Sequence, residues 1–478
     1  MSHVEARAPA VDPLKLLRER PEESAYDTFS NAQRVAGGVL LVASVGLLLV
    51  WPVEYLVVLN AAAILFYTVH SLYKFHLVYL SLGPAVEIEV SPEELASVPD
   101  DEWPTYTVLV PLYREAAVLE QLVAGLSRLD YPRDKLEVLL LVEEDDEETL
   151  RRARALRLRP PFRVVVVPDS APKTKPKACN HGLYASQSDL LVVYDAEDQP
   201  DPDQLKKAAC AFRKVAPDVI CLQAKLNYFN QRQNLLTKWF TAEYSMWFDL
   251  FLPGLTASRG PIPLGGTSNH FRTDTLKALG GWDPFNVTED CDLGVRLQKR
   301  GYSTAVIDST TWEEANSDLR GWIRQRSRWA KGYMQTWLVH MRRPLGLWRS
   351  LGTRNFLSFH LFIGGTIFCF LVNPIYWALT AVWFLWHWEV ISATFAPSWV
   401  YALGMLCLIL GNFVFVYLSV AGCMKRGYYD LVKWAVLTPI YWVLMSVGGW
   451  KGFCQLFSRP HYWEKTRHGL AVRNAHAS

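Results

Sequence analysis

The sequence predicts an α/β domain set between membrane helices, and three observations predict it. Apolar runs of strand length at residues 107–111, 136–142, 163–167 and 189–194 alternate with helical patterns at 115–129 and 149–156. β-branched strands alternating with helices argue for a parallel sheet. Long uncharged runs lie on both sides of that region. Finally, residues 319–388 contain no Asp or Glu, yet hold Arg320, Arg324, Arg326, Arg328, Lys331, Arg342, Arg343, Arg349 and Arg354. Such a stretch suits the cytoplasmic face of a bilayer, where anionic lipids attract Lys and Arg.

The elements follow in chain order. Residues 1–34 are polar and charged, with Pro9, Pro13 and Pro21. They do not read as a signal peptide and are expected to form a mobile cytosolic tail. Runs 35–51 and 55–73, parted by Pro52 and Glu54, each have about the length a membrane helix needs. Together they read as a hairpin over 35–82, with Lys74 back at the cytosolic side. Residues 83–340 are expected to be the soluble domain. Its acidic groups at 143–146 and 195–198 each follow a strand, so both fall where α/β sheets bind ligands. Within 341–457, the runs 356–388 and 390–424 carry no Lys, Arg, Asp or Glu. Asn373-Pro374 could kink one helix there or mark a tight hairpin. After them, residues 459–473 hold Arg459, Lys465, Arg467 and Arg473 against Glu464 alone, which opposes export. Residues 429–457, interrupted by Pro439, are therefore expected to be an amphipathic or re-entrant interface helix. Four spans and two inside termini follow, with 458–478 as a cytosolic tail.

Composition narrows the function. The 478 residues exceed one ordinary domain. A net charge of +2 gives no ground for a nucleic-acid partner. The eight cysteines form no C-x-x-C pair, so neither a zinc site nor a disulfide framework is expected.

Several motifs carry chemistry. Asp195-Ala-Glu197-Asp198 offers hard carboxylate oxygens that suit Mg²⁺ or Mn²⁺, or is a plain acidic turn. Lys173-Thr-Lys-Pro-Lys177 offers point charges to phosphate, or is a basic loop. Gly265-Gly-Thr-Ser permits close backbone approach to a ligand, or is a turn. Gln325, Arg328 and Trp329, at i, i+3 and i+4, share one helix face. That face has a fork-shaped anion donor and an apolar plate, or is one side of an interfacial helix.

In combination these motifs resemble those of family 2 glycosyltransferases of the processive, membrane-embedded kind, the cellulose, chitin and hyaluronan synthases and their bacterial relatives. The resemblance covers about residues 30–470 and implies a GT-A type domain. It also favours an interfacial piece followed by one kinked span at 356–388. Pro111-Leu-Tyr-Arg-Glu115 resembles the family's P-x-Y-N-E opening. The resemblance implies Glu144 and Asp145 at uracil, and Lys177, Asp195, Gln325 and Arg328 on the nucleotide sugar. Asp195, Glu197 and Asp198 would hold the metal. In Thr288-Glu289-Asp290, Asp290 would be the general base. Gly266, Thr267 and Trp329 would meet the acceptor. Trp463, Lys465 and Thr466 fall in the gating-loop region, where Glu464 and Lys465 depart from the W-G-T-R pattern. The implied partners are a nucleotide-sugar donor, a glycan acceptor, the bilayer and accessory secretion subunits. The implied place is the plasma (inner) membrane, crossed several times, with the catalytic domain cytoplasmic. The leading expectation is inverting β-transfer to a growing polysaccharide that is passed across the membrane. Single transfer to a lipid or glycan acceptor stands beside it, as does a non-catalytic subunit of a secretion complex.

Overall fold

The computed structural model describes residues 5–83, 86–387, 389–395 and 397–464. One sheet of ten strands organises the soluble part: β1 (Glu5–Arg7), β2 (Glu87–Ile88), β3 (Tyr106–Leu112), β4 (Leu136–Glu143), β5 (Phe162–Val167), β6 (Leu190–Val193), β7 (Gln199–Pro200), β8 (Val219–Tyr228), β9 (Asn269–Arg272) and β10 (Ser303–Glu313). Their order is β1-β5-β4-β3-β6-β9-β8-β10-β2, with β7 on β10.

The four strands anticipated from apolar runs are β3 to β6, and they pair in parallel. Their side chains alternate between two packed layers. Leu109, Leu139, Leu141, Val165 and Val193 enter one core, and Val108, Val110, Val138, Leu140 and Val192 the other. Strands buried on both faces read as unbroken apolar runs for this reason.

The sheet as a whole is mixed, which corrects the expectation of a parallel one. Short β9 lies antiparallel between β6 and β8. Its Asn-His-Phe-Arg sequence has no apolar run to announce it. The N-terminal residues also depart from expectation. Instead of a mobile tail, β1 adds a parallel edge strand to β5, and Ala8 N–H donates to Val166 O at 2.9 Å. Further along, Ala25 N–H donates to buried Asp283 at 2.5 Å, and Glu23 pairs with Lys299 at 2.9 Å.

Among the described residues, four helices are long and apolar enough to cross a membrane: Asn31–Val50, Pro52–Ser81, Pro344–Trp386 and Ser398–Lys425. The third contains non-helical Gly352 (φ 72°) and runs on through Pro374 without a break, so no tight hairpin forms at Asn373-Pro374. Tyr429–Ala435 and Thr438–Ser458 meet at 66°, a broken span or a re-entrant loop, and would make a fifth crossing if taken together. Thr438–Ser458 packs on the helix Leu319–His340 through glycines. A Cβ at Gly452 would lie 2.6 Å from Ser327 O, and one at Gly448 2.9 Å from Arg326 Cβ. This contact fastens the soluble domain to the apolar helices.

Candidate active site

The site grows from four chain segments that converge beside the carboxyl ends of β4 and β6. Lys175 opens the helix Lys175–Ala185, and Asp195 and Glu197 follow β6. Glu289 and Asp290 open the helix Glu289–Lys299. Asp318 caps Leu319–His340 by accepting from Gly321 N–H at 2.7 Å, which sets the phase that turns Gln325, Arg328 and Trp329 to the same side. All of these side chains except Asp318 line one cavity of about 1570 Å³, which continues between the apolar helices past Tyr67, Asn373 and Trp383.

Charge is concentrated at the sheet end. Lys175 Nζ donates to Asp195 Oδ1 and, at 2.6 Å, to Gly266 O. Burial works against its charge, but Asp195 and then Glu289 raise its pKa above the ordinary lysine value. Burial pushes Glu289 up to about 8, with neighbouring Asp290 adding to the effect and Lys175 opposing it. Burial raises Asp290 too, against the pull of Cys291 N–H (2.7 Å to Oδ1), Lys175 and Arg328. A Cβ on Gly266 would come within 3.3 Å of Asp290 Oδ2, so glycine keeps that approach open. Gln325 Oε1 and Arg328 Nε are buried with no hydrogen-bond partner among the described residues. Arg328 lies 4.5 Å from the ring centre of Trp463, and Trp329 stacks on Tyr244 with centroids 6.2 Å apart.

Several expected residues sit elsewhere. Lys177 is buried away from the cavity; its ammonium binds Glu143 at 2.7 Å and the carbonyls of Ser170 and Pro168 at 3.1 and 3.3 Å. It ties the helix to the end of β4, and Lys175, two residues earlier, is the lysine that faces the cavity. Asp198 turns inward, where Oδ2 accepts from Asp195 N–H at 2.7 Å and from the Thr267 hydroxyl. It shapes the acidic turn and does not line the cavity. Thr267 is spent on that contact and on Val193 O, so of the expected acceptor loop Gly265 and Gly266 reach the cavity and Thr267 does not. Glu144 pairs with Arg7 at 3.2 Å, and Asp145 binds Lys173, whose side chain does line the cavity. Thr288 reaches the cavity but packs against Gly332 of the neighbouring helix. Trp463 lines the cavity, and Lys465 and Thr466 lie outside the described residues.

Two further contributors carry no expected role: Arg114 lies within the Pro111–Glu115 motif, and Glu313 lies in no motif. Arg114 follows β3 with φ 57° and lines the cavity, its N–H donating to Asp146. Glu313 ends β10 and lines it as well; burial first, then Asp198, Glu197 and Asp195, push its pKa well up. A strand assignment for 303–313 would have placed Glu313 at the ligand edge. The mutual repulsion of these carboxylates, and the ammonium on Asp195, suit the acidic turn to a divalent cation. Among the described residues, no three His, Cys, Asp or Glu side chains are grouped to hold one unaided. The protein would thus supply only part of the coordination, as is usual where substrate phosphates supply the rest.

Residues 104–332 match the family described as "Glycosyltransferase like family 2". "Probable glycosyltransferase YdaM" of Bacillus subtilis (strain 168) is 27% identical over 296 residues, 59% of this chain and 70% of its own. "Beta-monoglucosyldiacylglycerol synthase" of Synechocystis sp. is 28% identical over 263 residues, 53% of this chain and 54% of its own. "Probable glucomannan 4-beta-mannosyltransferase 1" of Arabidopsis thaliana is 26% identical over 271 residues, 54% of this chain and 46% of its own. The chain therefore spans about half the length of the latter two. A solved mannosyltransferase of Pyrobaculum calidifontis, in complex with GDP-Man and Mn²⁺, overlays with a TM-score of 0.49 at 17% identity, covering 85% of this chain and 99% of that one. Residues 104–332 are thus similar to glycosyltransferase family 2 domains. The chain is an enzyme of the hexosyltransferase class.

Proposed function

We propose that the protein transfers a hexosyl group from a nucleotide-diphosphate sugar, a UDP-sugar by resemblance, to a growing β-glycan, with inversion at the anomeric carbon. We further propose that the glycan passes into the membrane through the cavity. One observation carries this reading: a single cavity joins the carboxylates, Arg328 and Trp329 to the membrane helices. In it, Trp377, Trp383 and Trp442 offer apolar plates on which sugar rings can stack.

The chemistry follows from the site. Burial raises the pKa of both Glu289 and Asp290, while Lys175 and Arg328 beside Asp290 pull its pKa back down and favour its carboxylate. The Asp290 carboxylate takes the proton of the acceptor hydroxyl. The new bond from that oxygen to the anomeric carbon forms as the bond to phosphate breaks, and the electron pair leaves on the diphosphate. Arg328 and Lys175 meet the leaving charge, and Trp329 supports the acceptor. Asp195 and Glu197 would hold Mg²⁺ or Mn²⁺, which when bound supplies neutralisation of the diphosphate. The catalytic end of the cavity would face the cytoplasm, consistent with the basic, acid-free stretch that follows it.

A single transfer to a lipid acceptor is the second reading. The aliphatic wall of Leu56, Leu59 and Ile64 in the same cavity favours it. Released nucleotide, measured for the purified chain with a panel of nucleotide sugars and a divalent cation, tests the activity. One donor class should turn over, and Asp290→Asn should lose about 10²–10⁴-fold. Full turnover by that variant removes Asp290 from its role. No turnover by wild type with any donor favours the non-catalytic subunit.

A further inference from the structure

The part of the cavity between the apolar helices holds a lysine with no opposite charge beside it among the described residues. Lys74, on the helix Pro52–Ser81, is 3% exposed and lines the cavity. Its Nζ lies 3.4 Å from the ring centre of Phe362, 4.4 Å from that of Phe251 and 5.7 Å from that of Trp247. No described carboxylate pairs with it, and no hydrogen bond from it is formed among the described residues. The ring faces offset part of the cost of taking an ammonium out of water. An anion would complete the site.

What lies above Lys74 narrows the class of that anion. Leu56, Leu59, Ile64, Tyr67 and Lys74 all face the cavity from this one helix. From residue 56 to residue 74 the helix rises about 27 Å at 1.5 Å per residue. That is close to the thickness of a bilayer's hydrocarbon core, about 30 Å. Several polar groups along this wall are paired, whereas Ser71 Oγ is buried without a partner among the described residues. The Tyr376 hydroxyl donates to Asn60 Oδ1 at 2.7 Å, Asn60 Nδ2 donates to Thr394 O at 3.3 Å, and the Tyr67 hydroxyl donates to Asn373. The wall is thus long and mainly apolar, with a caged cation at one end.

We propose that Lys74 binds the phosphate of an anionic phospholipid whose acyl chains lie along this wall when the cavity holds no acceptor. An ammonium offers three donors to phosphate oxygens, and the aliphatic side chains take the tails. The inference concerns the resting cavity and does not depend on which sugar the enzyme transfers.

The test uses the full chain in mild detergent and native mass spectrometry, with phosphatidylglycerol, uncharged diacylglycerol and inorganic phosphate as separate probes. Wild type should retain phosphatidylglycerol, and Lys74→Gln should retain at least ten-fold less. Lys74→Arg, which keeps the charge, should retain more than Lys74→Gln, and nucleotide binding by each variant checks that it has folded. Equal retention by wild type and Lys74→Gln overturns the proposal, as does equal retention of diacylglycerol by wild type. Displacement of the lipid by inorganic phosphate would assign the site to a free anion and also overturn it. None of these readouts involves sugar transfer, so the proposed enzymatic function stands or falls separately.

Discussion

The two ends of the cavity are built on opposite principles. At the sheet end, Gln325 Oε1 and Arg328 Nε are buried without partners, and Glu289, Asp290 and Glu313 all have raised pKa values. Between the apolar helices, Asn60 pairs with Tyr376 and Tyr67 with Asn373, and Ser71 Oγ alone of the polar atoms named there is buried without a partner among the described residues. Unpartnered buried polar groups cost stability, so they persist where a ligand completes them. The difference teaches that recognition and chemistry belong to the sheet end, and that the membrane end, Lys74 apart, supplies shape and stacking surface.

The sharpest way to break this comparison is at two neighbouring lysines. Lys177→Met strands buried Glu143 and should cost about 3–5 kcal/mol of stability, read in denaturant melts. Lys175→Met should leave most of that stability and instead depress nucleotide release. If the two variants behaved alike, the division between supporting and reacting cations would be lost.

Arg328→Ala comes next. It should lower nucleotide release about 10²–10³-fold, as removal of a donor to developing charge does. A drop of less than two-fold would make Arg328 part of the finished structure, like the membrane end. Trp329→Ala should act more gently, raising the acceptor KM by about ten-fold with the donor KM little changed, since an aromatic plate contributes about 1 kcal/mol beyond its buried area.

A separate effect concerns pH. The folded chain keeps a proton on Glu289 up to about pH 8, whereas a free carboxyl gives it up near 4.5. The share of stability that this proton contributes must therefore fall as pH rises through that window. In Glu289→Gln the fall should be shallower by up to one proton's slope, measured as unfolding free energy at several pH values. An unchanged slope would show that Glu289 is not the group holding that proton.

Much of this was legible in the sequence. β3 to β6 announced themselves because both faces are buried, and the uncharged runs marked the membrane helices. β9 and β10 did not, because Asn-His-Phe-Arg and a Thr-rich strand carry no long apolar run. The N-terminal strand was hidden by its prolines and charges. At the site, the order of acidic turn, Thr288-Glu-Asp290 and Gln325-x-x-Arg328-Trp329 was readable. Which lysine turns to the cavity was not. Lys175 and Lys177 are two residues apart at the start of one helix, so helix phase puts them on different sides. Asp198 and Thr267 were misplaced because each reaches inward to the other, a contact that sequence spacing does not encode. Glu313 lay beyond recognition once β10 was missed.

The central claim is that transfer at Asp290 feeds a product into the cavity between the membrane helices. Inside-out membrane vesicles given a labelled nucleotide sugar and a divalent cation test it directly. The account predicts a long glycan that a β-glycanase reaches only after detergent opens the vesicles, and its absence with Asp290→Asn. Short, lipid-soluble labelled products alone, with no protected glycan, would contradict it.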